Sequence, residues 1–140
     1  MTTTKINTAT EALAGTVERD EPHPPQKIWR ALTEPQLIEQ WLMKNDFKPV
    51  VGQRFTLRAD WGAVDCRVRA VEPNKTLSYT WAVYGLDSVV TWTLTPKSPG
   101  THLRLEQSGF RPEQQRFYEG AKAGSPQFLA KLGQVLARME

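Results

Sequence analysis

The sequence predicts an α+β domain in which an antiparallel meander of strands carries a long C-terminal helix across one face. Three observations lead there. Residues 54–107 alternate apolar and polar side chains with period two in five successive runs divided by turn-forming residues. Two short helical segments, each with proline in its first turn, precede them. The final thirty residues repeat apolar side chains at steps of three and four. With 140 residues the chain is the length of a single domain, and at that size roughly two-thirds of the unfolded surface is buried without cross-links.

The first ten residues, MTTTKINTAT, hold little to bury and read as a flexible tail, which places the domain at 11–140. A first strand over Ala12–Arg19, with Leu13 and Val17, stops at the breaker cluster Asp20-Glu21-Pro22-His23-Pro24-Pro25. The same prolines open a helix whose buried side is Ile28, Trp29 and Leu32. Thr33 is placed to cap a second helix, with Pro35 in its first turn and Leu37, Ile38, Trp41 and Leu42 on one side.

After Asp46 the period becomes two. Phe55, Leu57, Ala59 and Trp61 alternate with Arg54, Thr56, Arg58 and Asp60, and Gly62 turns the chain. Val64, Cys66, Val68 and Ala70 then share one side, opposite Asp65, Arg67 and Arg69. Leu77, Tyr79, Trp81 and Val83 form the dry side of the next strand, Val90, Trp92 and Leu94 of another, and Leu103, Leu105 and Gln107 of the last. The short connections at 85–87 and 96–100 make consecutive strands antiparallel neighbours. Pro112 opens the covering helix, whose stripe is Phe117, Ala121, Gly124, Phe128, Leu132, Val135 and Met139. Gly124-Ser125-Pro126 predicts a kink or break, with a distal helix from about Pro126 to Arg138.

Composition narrows the function classes. The chain is 39% hydrophobic and 24% charged, with no apolar run of membrane-span length and no secretion signal, so a cytoplasmic protein without membrane insertion is expected. A lone Cys66 forms no internal disulfide and no thiolate cluster. Eighteen basic and fifteen acidic residues leave +3, too little and too scattered to require nucleic acid. HExxH, GxSxG, CxxC and phosphate-binding glycine loops are all missing from the sequence, so no metal, cofactor or catalytic residue is assigned.

Several stretches resemble one family. Pro25-Gln26-Lys27-Ile28-Trp29-Arg30-Ala31-Leu32-Thr33-Glu34-Pro35, followed by Gln40-Trp41, is similar to the Pro-x-x-Val-Trp-x-Ala-Leu-Thr-Asp-Pro … Trp opening of the SRPBCC (START and birch-pollen-allergen-like) superfamily. Val51-Gly52-Gln53-Arg54-Phe55, Pro73-Asn74-Lys75-Thr76-Leu77 with Tyr79 and Trp81, Gly100-Thr101-His102-Leu103 and Ser108-Gly109-Phe110 resemble its branch named for the activator of heat-shock protein 90 ATPase. Gln53 stands where that branch has a second glycine, and Gly124-Ser125 where it often has Gly-Trp. The resemblance spans residues 11–139 and implies the helix-grip fold, a curved antiparallel sheet wrapped around the long C-terminal helix with a ligand cavity between them.

Parity and helical spacing assign the inward wall to Trp61, Cys66, Tyr79, Trp81, Trp92 and Gln107, facing Phe117, Ala121, Gly124 and Phe128. That wall is aromatic and carries no charge, which suits a small hydrophobic or aromatic ligand oriented by the Tyr79 hydroxyl, the indoles and Gln107. The opposing reading packs these side chains as core, and a dry-face cysteine is ordinarily a small hydrophobe. The resemblance implies two alternatives: a co-chaperone-like module docking a protein partner through the sheet face bearing Arg54, Arg58, Arg67, Arg69 and Arg104, and a polyketide-cyclase-like enzyme. Monomer and homodimer both stay open.

Overall fold

A computed structural model describes residues 13–60, 62–83, 86–110 and 115–139; for 13, 14, 83, 86, 110 and 115–126 the description is of the backbone alone. The elements are β1 (Leu13–Glu21), α1 (Pro25–Thr33), α2 (Pro35–Trp41), β2 (Lys44–Asn45), β3 (Arg54–Ala59), β4 (Gly62–Glu72), β5 (Thr76–Val83), β6 (Leu86–Lys97), β7 (Gly100–Phe110) and α3 (Gln115–Arg138). All strands join one antiparallel sheet in the order β1-β7-β6-β5-β4-β3-β2. From β2 to β7 the sheet is the expected meander, and β1 returns to pair with the last strand. The fold is the helix-grip α+β architecture. The tail at 1–10, Trp61 and Pro112 lie outside the described residues.

The local chemistry differs from expectation at definable points. β1 continues through Asp20 and Glu21, because both find backbone partners on β7, opposite His102 and Thr101; Pro22, with no N–H to donate, ends it. Thr33 does not cap α2. It closes α1, its hydroxyl donating to the Trp29 carbonyl at 2.7 Å. Pro35 holds Glu34 extended, at φ −92° and ψ 120°, and that residue separates the two helices. The Glu34 carbonyl accepts from Leu37 and Ile38, both at 2.9 Å.

The short edge strand β2 was not anticipated. It is fixed by Asn45, whose side chain donates to the carbonyls of Pro35 and Met43 and accepts from the Phe47 amide. In β4 the pairing shifts between Val68 and Ala70, so Ala70 stands opposite Ser78 and Val71 opposite Leu77. This bulge moves Ala70 off the dry face and puts Val71 there instead. A second irregularity, at Gly109 with φ +103°, interrupts the β1–β7 register where a Cβ would press on the Asp87 carbonyl at 3.0 Å.

The covering helix is continuous. Of the kink or break expected at Gly124-Ser125-Pro126, the break is absent: helical structure runs unbroken from Gln115 to Arg138. Proline removes one backbone donor, while the distal half is anchored by Leu129, Leu132, Val135 and Leu136, each 2% exposed or less. Its buried stripe therefore includes Leu129 and Leu136, with Phe128 and Met139 at the margins. These side chains meet Ile28, Ala31 and Leu32 of α1, Ile38 and Trp41 of α2, and the inward residues of β3–β7 in one core.

Candidate functional site

The inward face of the sheet divides into a packed wall and a more open end. In the wall, Cys66, Tyr79 and Trp92 are all buried. Register places Tyr79 opposite Val90, two residues from Trp92, and the Trp92 indole N–H donates to the Tyr79 hydroxyl at 3.2 Å. Trp41 packs edge-on against Trp92 with centroids 5.5 Å apart and spends its own N–H on the Ala31 carbonyl at 2.8 Å. Phe47, Phe55 and Tyr79 continue the series edge to face, at 4.9 and 5.3 Å. Burial pushes the Tyr79 phenol well above its ordinary range.

Cys66 behaves as part of this wall. Burial, reinforced by the carboxylates of Asp65 and Asp46, pushes its thiol up to about 12. At neutral pH it is almost wholly protonated and is no nucleophile.

The open end lies across β5, β6 and β7. Trp81 and Gln107 are half-buried there, and a polar relay crosses the strands; Phe128 of α3 is half-buried at the margin of the core. The Gln107 amide donates to Ser88 Oγ at 2.9 Å, and Ser88 Oγ donates to the Trp81 carbonyl at 2.9 Å. The relay uses the Gln107 NH₂ group; among the described residues its carbonyl oxygen has no hydrogen-bond partner. The side chains of Trp61, Phe117, Ala121 and Gly124, which complete the expected wall, lie outside the description.

The inward face also carries charge, contrary to expectation. Glu21 is buried beneath α3, with its side chain 4% exposed, beside half-exposed Arg19. Arg19 Nε is 2.9 Å from Glu21 Oε2, but its N–H is not directed there, so among the described residues that oxygen has an ionic neighbour and no hydrogen bond. Burial raises the Glu21 pKa, with Arg19 opposing. Gly133 makes the space: a Cβ there would lie 3.1 Å from Arg19 Nη2 and 3.5 Å from Glu21 Oε2. Val17, Arg19 and Glu21 share parity, so extending the first strand by two residues would have revealed the pair.

The other histidine-bearing cluster is outside. His102 sits on the outer sheet face with one ring nitrogen 2.7 Å from Glu18 and the other 2.7 Å from Asp20, which Lys97 also contacts at 2.8 Å. Among the described residues no group of His, Cys, Asp and Glu is arranged to hold a metal ion. A cleft of about 650 Å³ is present on the outer face, lined chiefly by outward side chains of β3 to β6. No described helix is long and apolar enough to cross a membrane.

A curved antiparallel sheet gripping a C-terminal helix, with an aromatic inner face, defines the helix-grip class of the SRPBCC superfamily. Residues 22–137 match the family model described as activator of Hsp90 ATPase homolog 1-like protein, and the chain belongs to that family. Among solved structures it is similar to protein MLL2253 from Mesorhizobium loti, at 62% identity over 91% of this chain and 99% of that one, with a TM-score of 0.89. DynU16, a protein of the dynemicin biosynthetic locus, is 25% identical over 89% of this chain, with a TM-score of 0.81; the match spans 47% of DynU16. The Aha1 dimer from Colwellia psychrerythraea, at 22% identity over 89% of this chain and 96% of that one and a TM-score of 0.80, shares the fold. No curated protein matches the sequence.

Proposed function

We propose that the protein binds a small hydrophobic or aromatic molecule between the inner sheet face and α3, at the end marked by Trp81 and Gln107, with Phe128 assigned to the same site by helical spacing. The observation that carries this is the relay from Gln107 through Ser88 to the Trp81 carbonyl. It holds the Gln107 carboxamide in one orientation beside the aromatic wall, leaving its carbonyl oxygen to receive a donor from a ligand. Trp81 and Phe128 supply flat apolar surface beside it. Tyr79, Trp92 and Cys66 back the site as a rigid wall, and Trp61, Phe117, Ala121 and Gly124 are assigned to its remaining sides by parity and helical spacing. The likeness to a protein of a biosynthetic locus supports a metabolite as the occupant.

Catalysis is not part of this reading. Tyr79 and Cys66 both titrate far above neutrality, and His102 is on the opposite face of the sheet, so the open end lacks a described group suited to general acid–base work.

Native mass spectrometry of protein purified gently from its own host tests the proposal. The expected result is a stoichiometric adduct absent from the denatured mass, and lost from W81A and Q107L variants that keep the parent melting temperature. A bare protein, unmoved in melting temperature by a panel of lipids and aromatic metabolites, would sink it.

A further inference from the structure

The outer sheet face carries charge that the fold does not use. Arg54 of β3 stands directly across from Arg67 of β4, and Lys44 of β2 directly across from Arg58 of β3. Like charges in opposed positions weaken a sheet, so stability does not account for either pair. Arg69, exposed at the β4 bulge, adds a third guanidinium beside Arg54 and Arg67. Among the described residues, none of these five cations is within ion-pairing distance of a carboxylate.

Arg54, Arg67 and Arg69 line one end of the outer cleft of about 650 Å³. Across the strands, Arg67 is followed by Thr80 and then Val89, while the neighbouring row runs Asp65, Ala82, Asp87. Thr80 Oγ1 accepts from the Arg67 amide at 2.8 Å, which leaves the hydroxyl proton to donate. The cleft reaches from β3 to Gly109 of β7. Four interstrand steps of about 4.8 Å give roughly 19 Å, the length of about six extended residues.

From this juxtaposition we propose that the outer cleft receives an extended segment of a protein partner, acidic at one end and apolar along the rest. Its carboxylates lie over Arg54, Arg67 and Arg69, where forked guanidinium donors suit carboxylate oxygens. Its apolar side chains lie over Ala82 and Val89, where Asp87 of β6 repels a segment that is acidic throughout; at the arginine end the three guanidiniums outnumber the one carboxylate, Asp65. The site is on the opposite sheet face from the proposed inner site, and either stands without the other.

Fluorescence anisotropy with a labelled peptide, Glu-Glu-Glu-Leu-Ala-Leu, tests this. Binding is expected at about 50 mM salt and weakens by roughly tenfold or more at about 300 mM. The matching Gln-Gln-Gln peptide is expected to bind at least about tenfold more weakly. An R54S/R67S double variant loses a similar factor while its melting temperature holds or rises, because the opposed charges are gone. Equal binding of the two peptides to the parent protein overturns the proposal without recourse to a variant. So does competition by free citrate or phosphate at the peptide's own concentration, which would mark a small-anion site.

Discussion

His102 and Asp20 show how the same strand pair shifts two titrations in opposite directions. The carboxylate hydrogen bonds of Glu18 and then Asp20 raise the His102 pKa above its ordinary 6.5. A raised folded pKa means that the contribution to stability is complete below 6.5 and is lost as pH rises through the folded value. Asp20 is lowered, by Lys97 and then His102, so its contribution is lost as pH falls instead. The cluster is therefore intact between those limits. An NMR titration should place the His102 midpoint above 6.5, and H102Q should remove the stability loss on the alkaline side. The exposure of the cluster makes both effects small and salt-sensitive.

Glu21 is raised by burial, so it too favours the folded state when protonated, and ionising it costs stability as pH rises. E21Q keeps the shape, removes the buried charge and leaves a half-exposed Arg19 that water can solvate. Its melting temperature at neutral pH is expected to exceed the parent's, with a flatter profile from acid to neutral; a lower one would show that the ion pair outweighs desolvation. The neighbouring sequence disguised this residue. Asp20, Glu21 and three prolines read as a breaker, and nothing in a single strand's composition shows that a partner eighty residues away will extend it.

At the scale of elements, alternation located the five long strands β3 to β7, and the two short proline-opened helices fell where expected. Two features escaped. β2 has two residues, too few for any period, and depends on the side-chain bonds of Asn45. The β4 bulge inserts a residue that parity cannot count, so alternation is right before Arg69 and reversed after it. The inward placement of Trp81 and Gln107 was legible where strands are regular, but the Ser88 relay that joins them needed the β5–β6 and β6–β7 registers.

Glycines separate conformation from space. At Gly100 an added Cβ would collide with the Glu21 carbonyl and lie 2.9 Å from the Pro22 Cα and His23 amide, all backbone. At Gly52, with φ +88°, nothing is within 4 Å. G100A is expected to cost at least about 2 kcal/mol by forcing β1 from β7, and G52A about 1 kcal/mol from backbone strain alone. Denaturant unfolding of the two variants measures the difference.

For the whole molecule, the family match and the helix-grip topology agree that one sheet closes around one helix, and the shared core makes this a cooperative unit. Every long strand has a neighbour adjacent in sequence except β1, which depends on β7. A chain ending before Gly100 loses β7, α3 and the partner of β1 together, and its thermal melt is expected to show no cooperative transition. A sharp transition in that fragment would place the core in β2–β6 alone.

The pairing of β1 with β7 also sets an order of events on the ribosome. β1 emerges before the rest of the fold, yet its hydrogen-bonding edge has nothing to join until residues beyond Gly100 have been made. The middle strands can zip into hairpins as they appear, whereas the amino-terminal segment waits, and its closure draws in the longest loop in the fold. Through that interval an unpaired strand edge is exposed to other nascent chains. The charged outward residues of β1, Glu18 and Asp20, guard it during synthesis before they become the partners of His102.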